Sequence, residues 1–94
     1  MSEMEFEWDS GKSAVNLDKH GVSFEEAQSI FDDLNWKQEY DIKHSQNEDR
    51  WLGIGVSQRL RLVTVAYTKR YETIRIISAR RANQAEASRY SGEA

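Results

Sequence analysis

Residues 74–82 constrain the fold more than any other part of the chain, because an apolar core with strand character carries arginines at its centre and its exit. A guanidinium is costly to place beside a hydrophobic core, and its planar fork of donors suits a phosphate or a carboxylate. Arg75, Arg80 and Arg81 therefore indicate an anionic partner at this edge of a sheet. The alternative is that they are solvated or pair with the chain's own carboxylates, as most surface charges do.

Charge is distributed unevenly along the 94 residues. Residues 1–47 contain four lysines against eleven acidic residues, whereas residues 48–94 contain nine basic residues, eight of them arginines, against five acidic ones. The second half is therefore predicted to face an anion, while the first half stays solvated or faces a basic partner. An isoelectric point near 5.4 counts against a large non-specific footprint on nucleic acid.

Length and composition indicate one small domain over residues 1–94. The chain has no cysteine, which excludes a disulfide framework and a thiolate metal site and makes a reducing compartment the default. No apolar run approaches the roughly 20 residues of a membrane span, and residues 1–9 are too acidic and too short for a signal peptide. We therefore expect a cytoplasmic protein without a membrane segment.

Two helices are predicted in the first half of the chain. Asp9 can cap a helix that runs to about Lys19, and Gly21 supplies the left-handed residue that ends it. Ser23 and Glu26 have the spacing of a capping box that opens a second helix. The acidic side chains that this helix is predicted to expose are Glu25, Glu26 and Asp32. The apolar stripe that it is predicted to bury consists of Phe24, Ala27, Ile30, Phe31 and Leu34.

Strand patterns dominate the remainder. Phe6 and Trp8 alternate with acids and indicate a short first strand. Residues 36–42 are a further strand candidate. Three more strands are predicted at residues 51–56, 60–67 and 73–78, which are rich in β-branched and aromatic residues. Short polar connections between them indicate an antiparallel meander.

The end of the chain predicts a third helix. Asn83 and Glu86 form another capping pair, and a polar tail follows Tyr90. The predicted order is β-α-α-β-β-β-β-α, an α+β domain. Its curved antiparallel sheet has four to five strands, with two N-terminal helices and a short C-terminal helix. Helices cover one sheet face, and the other face is partly free.

Several short motifs follow one another between residue 6 and about residue 90. They are Phe6-Glu7-Trp8-Asp9, Asn16-Leu17, Lys19-His20-Gly21-Val22-Ser23-Phe24, Phe31-Asp32-Asp33, His44-Ser45 with Glu48 and Arg50, Ile54-Gly55, Tyr67-Thr68, and Arg75-Ile76-Ile77-Ser78-Ala79-Arg80. In this order and spacing they resemble the BrnT family of bacterial type II toxins. The resemblance implies a RelE-like ribonuclease fold and an RNA-cleaving activity that inhibits translation.

The same resemblance implies a protein partner. A neighbouring BrnA-type antitoxin would bind the toxin and repress their shared operon, so operon DNA would be contacted only through the antitoxin. A heterotetramer of toxin and antitoxin fits this arrangement. Three positions depart from the family pattern: Leu34 stands where proline is usual, and Leu60 and Tyr71 stand where glycine is usual. None of the three changes removes a candidate functional side chain.

The implied reaction is metal-free attack of a ribose 2′-hydroxyl on the adjacent phosphate, which needs a proton acceptor, cations and a proton donor. His20 can titrate near neutral pH and lies at the end of the first helix, beside Lys19. His20 is thus predicted to be a general acid or base, and Lys19 to hold RNA. Read from the residues alone, a histidine before a capping glycine is more often an electrostatic helix terminator.

Phosphate clamping is predicted for Arg61, Arg75 and Arg80. Positions 75 and 80 have opposite parity and cannot share a face of a regular strand, so the strand either ends before Arg80 or bulges. A register with Val65 opposite Arg75 would group Arg61 with Arg75, whereas Thr64 opposite Arg75 would group Arg61 with Arg80. The sequence leaves this register open.

Weaker candidates surround these arginines. Glu48 is a candidate base and Arg50 a phosphate contact, with an ordinary ion pair between them as the alternative. Peripheral RNA contacts or plain solvent charges are expected of Lys69, Arg70 and Arg81. His44 has no acid or metal partner at a recognised spacing, and no metal site is predicted. Aromatic residues that could stack on bases but more often belong to a core are Trp36, Trp51 and Tyr67.

No cofactor is predicted, because the chain has neither a P-loop nor a dinucleotide-binding glycine motif. The favoured function, which the resemblance implies, is a metal-independent endoribonuclease toxin that an antitoxin neutralises. The alternative is a non-catalytic module that binds a protein or RNA through an arginine-rich sheet face.

Overall fold

The computed structural model describes residues 4–92, and the order of its elements confirms the predicted one. The strands are β1 (Glu5–Glu7), β2 (Lys37–Tyr40), β3 (Arg50–Val56), β4 (Leu62–Arg70) and β5 (Thr73–Arg81). The helices are α1 (Ser10–His20), α2 (Phe24–Ser29) and α3 (Gln84–Ser91), with 3₁₀ turns at Ile30–Asp32 and Ile42–His44. The predicted polar tail begins inside α3, and its last residues, 93–94, lie outside the described residues. Residues 1–3, part of the N-terminal segment considered as a signal peptide, also lie outside them.

The sheet is mixed, so the prediction of a purely antiparallel sheet is wrong. Its strand order is β1-β5-β4-β3-β2, and the four strands β2 to β5 form the predicted antiparallel meander. β1 instead runs parallel to β5, with Phe6 opposite Ile74. The long connection between these two strands allows the parallel direction, which a tight hairpin could not.

Helix α2 and the 3₁₀ turn after it pack on one face of the sheet, called the helix face here, which carries Val63, Val65 and Tyr67. Helix α1 lies against β5, where its buried Asn16 hydrogen-bonds the backbone of Ala79. Phe31 contacts the ring of Tyr67 edge-on, with ring centroids 5.3 Å apart. Tyr67 is fully buried, and its hydroxyl donates a hydrogen bond to Gln38 Oε1 at 2.9 Å. Trp36 and Trp51 pack partly buried against the same core, which confirms their interpretation as structural residues.

The caps of α1 form as predicted. Asp9 Oδ1 accepts a hydrogen bond from the backbone N–H of Lys12 at 2.9 Å, and Gly21 ends the helix with φ of 71°. At α2 the hydroxyl of Ser23 accepts the N–H of Glu26, but the box is only half formed, since the Glu26 carboxylate turns into the protein.

Two expectations about α2 are wrong. Glu26 is 1% exposed rather than solvated, because Ser57 and Arg61 of the β3–β4 turn hydrogen-bond its carboxylate. The helix stops at Ser29, so Leu34 lies beyond it and is exposed instead of completing the apolar stripe.

The third helix lies on the other side of the sheet, called the open face here, which carries Thr64, Thr68, Arg75 and Arg80. A full capping box starts it, as predicted from Asn83 and Glu86. It covers only the end of the open face near Thr64, whose hydroxyl donates a hydrogen bond to the α3 carboxylate Glu86. The rest of the open face is accessible.

Candidate functional site

A β-bulge in β5 brings Arg75 and Arg80 to one face of the sheet. Ser78 pairs with Ala66 and Ile76 pairs with Tyr67, so Ile77 is the extra residue and the alternation reverses there. Arg75 then lies opposite Thr68, and Arg80 opposite Thr64, on the open face. The bulge is one of the two arrangements that the sequence left open.

Arg61 is separated from both of these arginines, which neither of the two registers considered from the sequence anticipated. Its Nε donates to Glu26 Oε2 at 3.0 Å, and its Nη2 donates to the carbonyl of Gly21 at 2.9 Å. The hydrogen bond from Arg61 lowers the pKa of the Glu26 carboxyl, which is buried on the helix-covered side. Arg61 therefore holds the junction of α1 and α2 to the start of β4.

Arg80 shares the open face with Arg75 but is engaged by α3. Its two Nη atoms each donate to the carboxylate of Glu86 at 2.7 Å. Burial opposes ionisation of Glu86, but hydrogen bonds from Arg80, Thr64 and the Asn83 N–H outweigh it and lower its pKa. This bidentate pair makes Arg80 a docking contact for α3 in the structure.

The accessible part of the open face contains a cleft of about 480 Å³, called the cationic cleft here. Its charged and titratable lining comes from α1, the β2–β3 loop and strands β3 to β5. These side chains are Lys12, Lys43, His44, Glu48, Arg50, Arg70 and Arg75. Five positive charges against one carboxylate make the cleft suited to an anion.

Three residues form a row across the floor of this cleft. Arg50 of β3 and Arg75 of β5 both lie directly opposite Thr68 of β4, at positions that place side chains about 5 Å apart. Thr68 is 3% exposed, and its hydroxyl has no hydrogen-bond partner within residues 4–92. A buried polar atom left without a partner is uncommon, and here it belongs to a residue that lies between two arginines in the sheet.

The two arginines of the row differ in their surroundings. Arg75 Nη1 donates to Glu7 Oε2 of β1 at 2.9 Å, and both side chains are partly exposed. The guanidinium of Arg50 makes no ion pair with any residue of the described chain, although its charge contributes to lowering the pKa of Glu48. The row therefore retains donors for a ligand.

Glu48 pairs with Arg70 rather than with Arg50, so the ion pair considered from the sequence does not form. Arg70 donates from Nε and Nη2 to the two carboxylate oxygens, at 3.0 and 3.2 Å. The Arg70 hydrogen bond holds the pKa of Glu48 below its ordinary value. A carboxylate with a lowered pKa is a weaker base, which disfavours the predicted role of Glu48 as proton acceptor.

His44 does have an acidic partner, contrary to the expectation from the sequence. Its Nδ1 lies 2.9 Å from Asp41 Oδ2. The 3₁₀ turn Ile42–His44 closes the three-residue separation and brings the two side chains together. The spacing was visible in the sequence, but Asp41 and Ile42 were predicted to lie in the strand 36–42, where no turn would bring Asp41 to His44.

His20 and Lys19 lie outside the cationic cleft. They line a shallow neighbouring groove with Val15 and Ser78, and this groove shares Lys12 and Ile77 with the cleft. Arg81 is exposed at the end of β5 and also lies outside the cleft. Of the eight residues proposed from the sequence, the structure thus gathers Glu48, Arg50 and Arg75.

Several residues of the cleft escaped sequence reasoning. Lys12 of α1, Lys43 of the β2–β3 loop and Thr68 of β4 were not singled out for a functional role. In the sequence, the one available signal was that Thr68 and Arg70 are two residues apart in a predicted strand and so share a face. That Arg50 and Arg75 lie on the same face follows only from the strand register. Within residues 4–92, no group of three or more histidine, aspartate or glutamate side chains is arranged to hold a metal ion.

An open sheet face with a cationic cleft and an unpartnered hydroxyl defines an α+β domain suited to a phosphate-bearing ligand. The chain belongs to the family described as the ribonuclease toxin, BrnT, of type II toxin-antitoxin systems, whose model matches residues 8–86. Its family makes it a type II ribonuclease toxin with an antitoxin as partner. No curated protein matches the sequence.

A solved structure supports the same assignment. The fold is similar to the crystal structure of the Brucella abortus ribonuclease toxin, BrnT, with a TM-score of 0.66 and 25% sequence identity. The match covers 86% of this chain and 99% of the Brucella chain. The RelE-like relationship stays a prediction. Among the described residues, no helix has the length and apolar character needed to cross a membrane.

Proposed function

We propose that this toxin is a metal-independent endoribonuclease that cleaves RNA in the cationic cleft and thereby inhibits translation. The observation that carries the proposal is the row of Arg50, Thr68 and Arg75, in which two arginines flank a threonine whose buried hydroxyl has no partner in the described chain. A phosphodiester supplies the acceptor oxygens that all three side chains require.

The row accounts for the charge that the reaction develops. Attack of the 2′-hydroxyl adds negative charge to the equatorial phosphate oxygens, and preorganised donors stabilise that charge more than they stabilise the bound substrate. Lys12, Lys43 and Arg70 add positive charge around the same cleft and would hold the flanking phosphates. In this proposal the protein's own cations do the work for which other nucleases employ a metal ion.

The antitoxin, in this proposal of the BrnA type, covers the cleft. An acidic or strand-adding segment would compete with RNA for the same arginines. Operon DNA would be bound through the antitoxin, with a heterotetramer as the repressing form, and the complex would act in the cytoplasm. Stoichiometric addition of the antitoxin should then abolish RNA binding together with cleavage.

The test compares Arg75→Ala with Arg59→Ala, whose arginine is exposed in the β3–β4 turn and outside the cleft. Loss of one donor to the transition state should slow RNA cleavage by Arg75→Ala about 10²-fold, with the Arg59 variant near the wild-type rate. Products should carry 2′,3′-cyclic phosphates, and EDTA should leave the rate unchanged. Loss of turnover in EDTA, or equal rates in both variants, would refute the proposal.

The separation of His20 from the cleft favours a second candidate, a protein that binds RNA without cleaving it. Such a protein would bind a labelled oligonucleotide with an affinity that depends on Arg75, yet release no shorter product over many hours. Binding and product analysis on the same samples distinguish the two functions.

A further inference from the structure

We infer that His44 is the proton acceptor of the cleavage reaction and that Asp41 is the positioning residue that sets its tautomer. This inference rests on the proposed ribonuclease function. His44 lines the cationic cleft beside Arg50 and Arg75, and it is the histidine among the cleft-lining residues of the described chain.

The contact with Asp41 fixes which ring nitrogen carries the proton. An ionised carboxylate can only accept a hydrogen bond, so His44 Nδ1 must donate to Asp41 Oδ2 across their 2.9 Å separation. The neutral ring then has its lone pair on Nε2, which makes no hydrogen bond to any side chain or backbone group in residues 4–92. A nitrogen with a lone pair and no partner is what a general base requires.

The turn that carries His44 is hydrogen-bonded to the backbone of Arg50, one of the three residues of the row. The N–H of Asp41 donates to the carbonyl of Arg50 at 2.9 Å, and the hydroxyl of Ser45 donates to the carbonyl of Asp41 at 2.7 Å. The same hydroxyl accepts the N–H of Arg50 at 2.8 Å. The histidine is therefore held by the backbone of one of the residues that would bind the phosphate.

The two carboxylates near the cleft, Asp41 and Glu48, have different partners. The side chain of Asp41 is 16% exposed and contacts His44. The side chain of His44 is 64% exposed, so a ligand can reach it. Glu48 is occupied by Arg70. The charged groups that share the cleft with His44 are Lys12, Lys43, Glu48, Arg50, Arg70 and Arg75.

The step balances without any further reagent. His44 Nε2 takes the proton of the ribose 2′-hydroxyl, the 2′-oxygen forms a bond to phosphorus, and the bond from phosphorus to the 5′-oxygen breaks. The leaving 5′-oxygen takes a proton from water, and the imidazolium later returns its proton to the solvent. Asp41 stabilises the imidazolium between these events, as a carboxylate behind a catalytic histidine does elsewhere. The products are a 2′,3′-cyclic phosphate and a 5′-hydroxyl.

The experiment combines kinetics with ¹⁵N NMR of the histidine rings in the full chain. His44→Gln should lower kcat by about 10² to 10⁴-fold with little change in KM. Asp41→Asn should lower kcat at least about 10-fold, and the ring nitrogens of His44 should shift from a protonated Nδ1 towards a mixture of tautomers. The control is Asp49→Asn, which removes the same charge from the same loop at a carboxylate bonded to Tyr40 rather than to histidine. It should leave both readouts at the wild-type values.

The outcomes separate this inference from the function on which it rests. A wild-type protein that does not cleave RNA would overturn both. Cleavage by wild type with an equal rate in His44→Gln would overturn only the assignment of His44, and loss of activity in His20→Gln beside normal activity in His44→Gln would transfer the role to His20. An unchanged His44 tautomer in Asp41→Asn would overturn the positioning role of Asp41, whatever the rates.

Discussion

Replacing Thr68 with valine should make the protein more stable and less active at the same time. The Thr68 hydroxyl is buried between Arg50 and Arg75 and lacks a partner in the described chain. Valine has nearly the same shape as threonine, so Thr68→Val removes the unsatisfied hydroxyl without leaving a cavity. A buried donor or acceptor without a partner costs about 1 to 3 kcal/mol, and the folded state should recover about 1 kcal/mol of this.

The gain is measurable by thermal unfolding. For a domain of this size, about 1 kcal/mol raises the midpoint by roughly 4 to 8 °C. If the hydroxyl donates to a phosphate oxygen in the transition state, the same substitution should lower RNA cleavage by about 10²-fold. Stability and activity therefore move in opposite directions, which a purely structural threonine would not produce.

Thr64→Val is the matched control. Thr64 lies on the same strand and face and is 2% exposed, but its hydroxyl donates to Glu86 Oε1 at 2.9 Å. Removing a hydrogen bond to a charged group should lower the free energy of unfolding by about 1.5 to 3 kcal/mol. A Thr68→Val variant that unfolds at a lower temperature than wild type, or that cleaves RNA at the wild-type rate, would refute the reasoning.

Two further predictions concern stability. Leu60 and Tyr71 are exposed residues with φ of 61° and 60°, a left-handed backbone that glycine adopts without steric cost. Leu60→Gly and Tyr71→Gly should therefore each raise the free energy of unfolding by about 0.5 to 1 kcal/mol, measured by chemical denaturation. Leu60→Ala, which keeps a Cβ atom, should not raise it. The hydrogen bond from Arg61 lowers the pKa of Glu26, so its contribution to stability is complete above the unfolded-state pKa, about 4.3, and disappears as pH falls through the lower folded-state value. The stability difference between wild type and Glu26→Gln should therefore be largest near neutral pH and shrink in acid, and a difference independent of pH would contradict the pairing.

Local patterns predicted the elements well where the physical cause is itself local. The cap by Asp9, the left-handed Gly21 and the capping box of Asn83 with Glu86 all formed as expected. Each depends on side chains within a few residues of the backbone groups they satisfy, so the sequence contains the whole interaction. Leu60 and Tyr71 are the exception, since both keep the left-handed backbone of the turn although their residue types disfavour it.

Long-range pairing was not readable in the same way. Glu26 was expected in solvent because it falls outside the apolar stripe of the helix, yet Arg61 reaches it from 35 residues away. Likewise, the direction of β1 depends on which strand it joins, and it joins β5 at the opposite end of the sequence. Such contacts depend on how distant segments meet, and no local pattern specifies that.

The sequence by itself determined that this α+β toxin contains an arginine-rich strand, because residue type and strand character are local properties. Only the tertiary structure decided which arginines share the site. The bulge at Ile77 turned Arg75 and Arg80 to one face, α3 then engaged Arg80, and Arg61 went to Glu26 on the other side. A single extra residue in a strand reverses every side chain beyond it, so the composition of the site follows from strand register, which is a property of the assembled sheet.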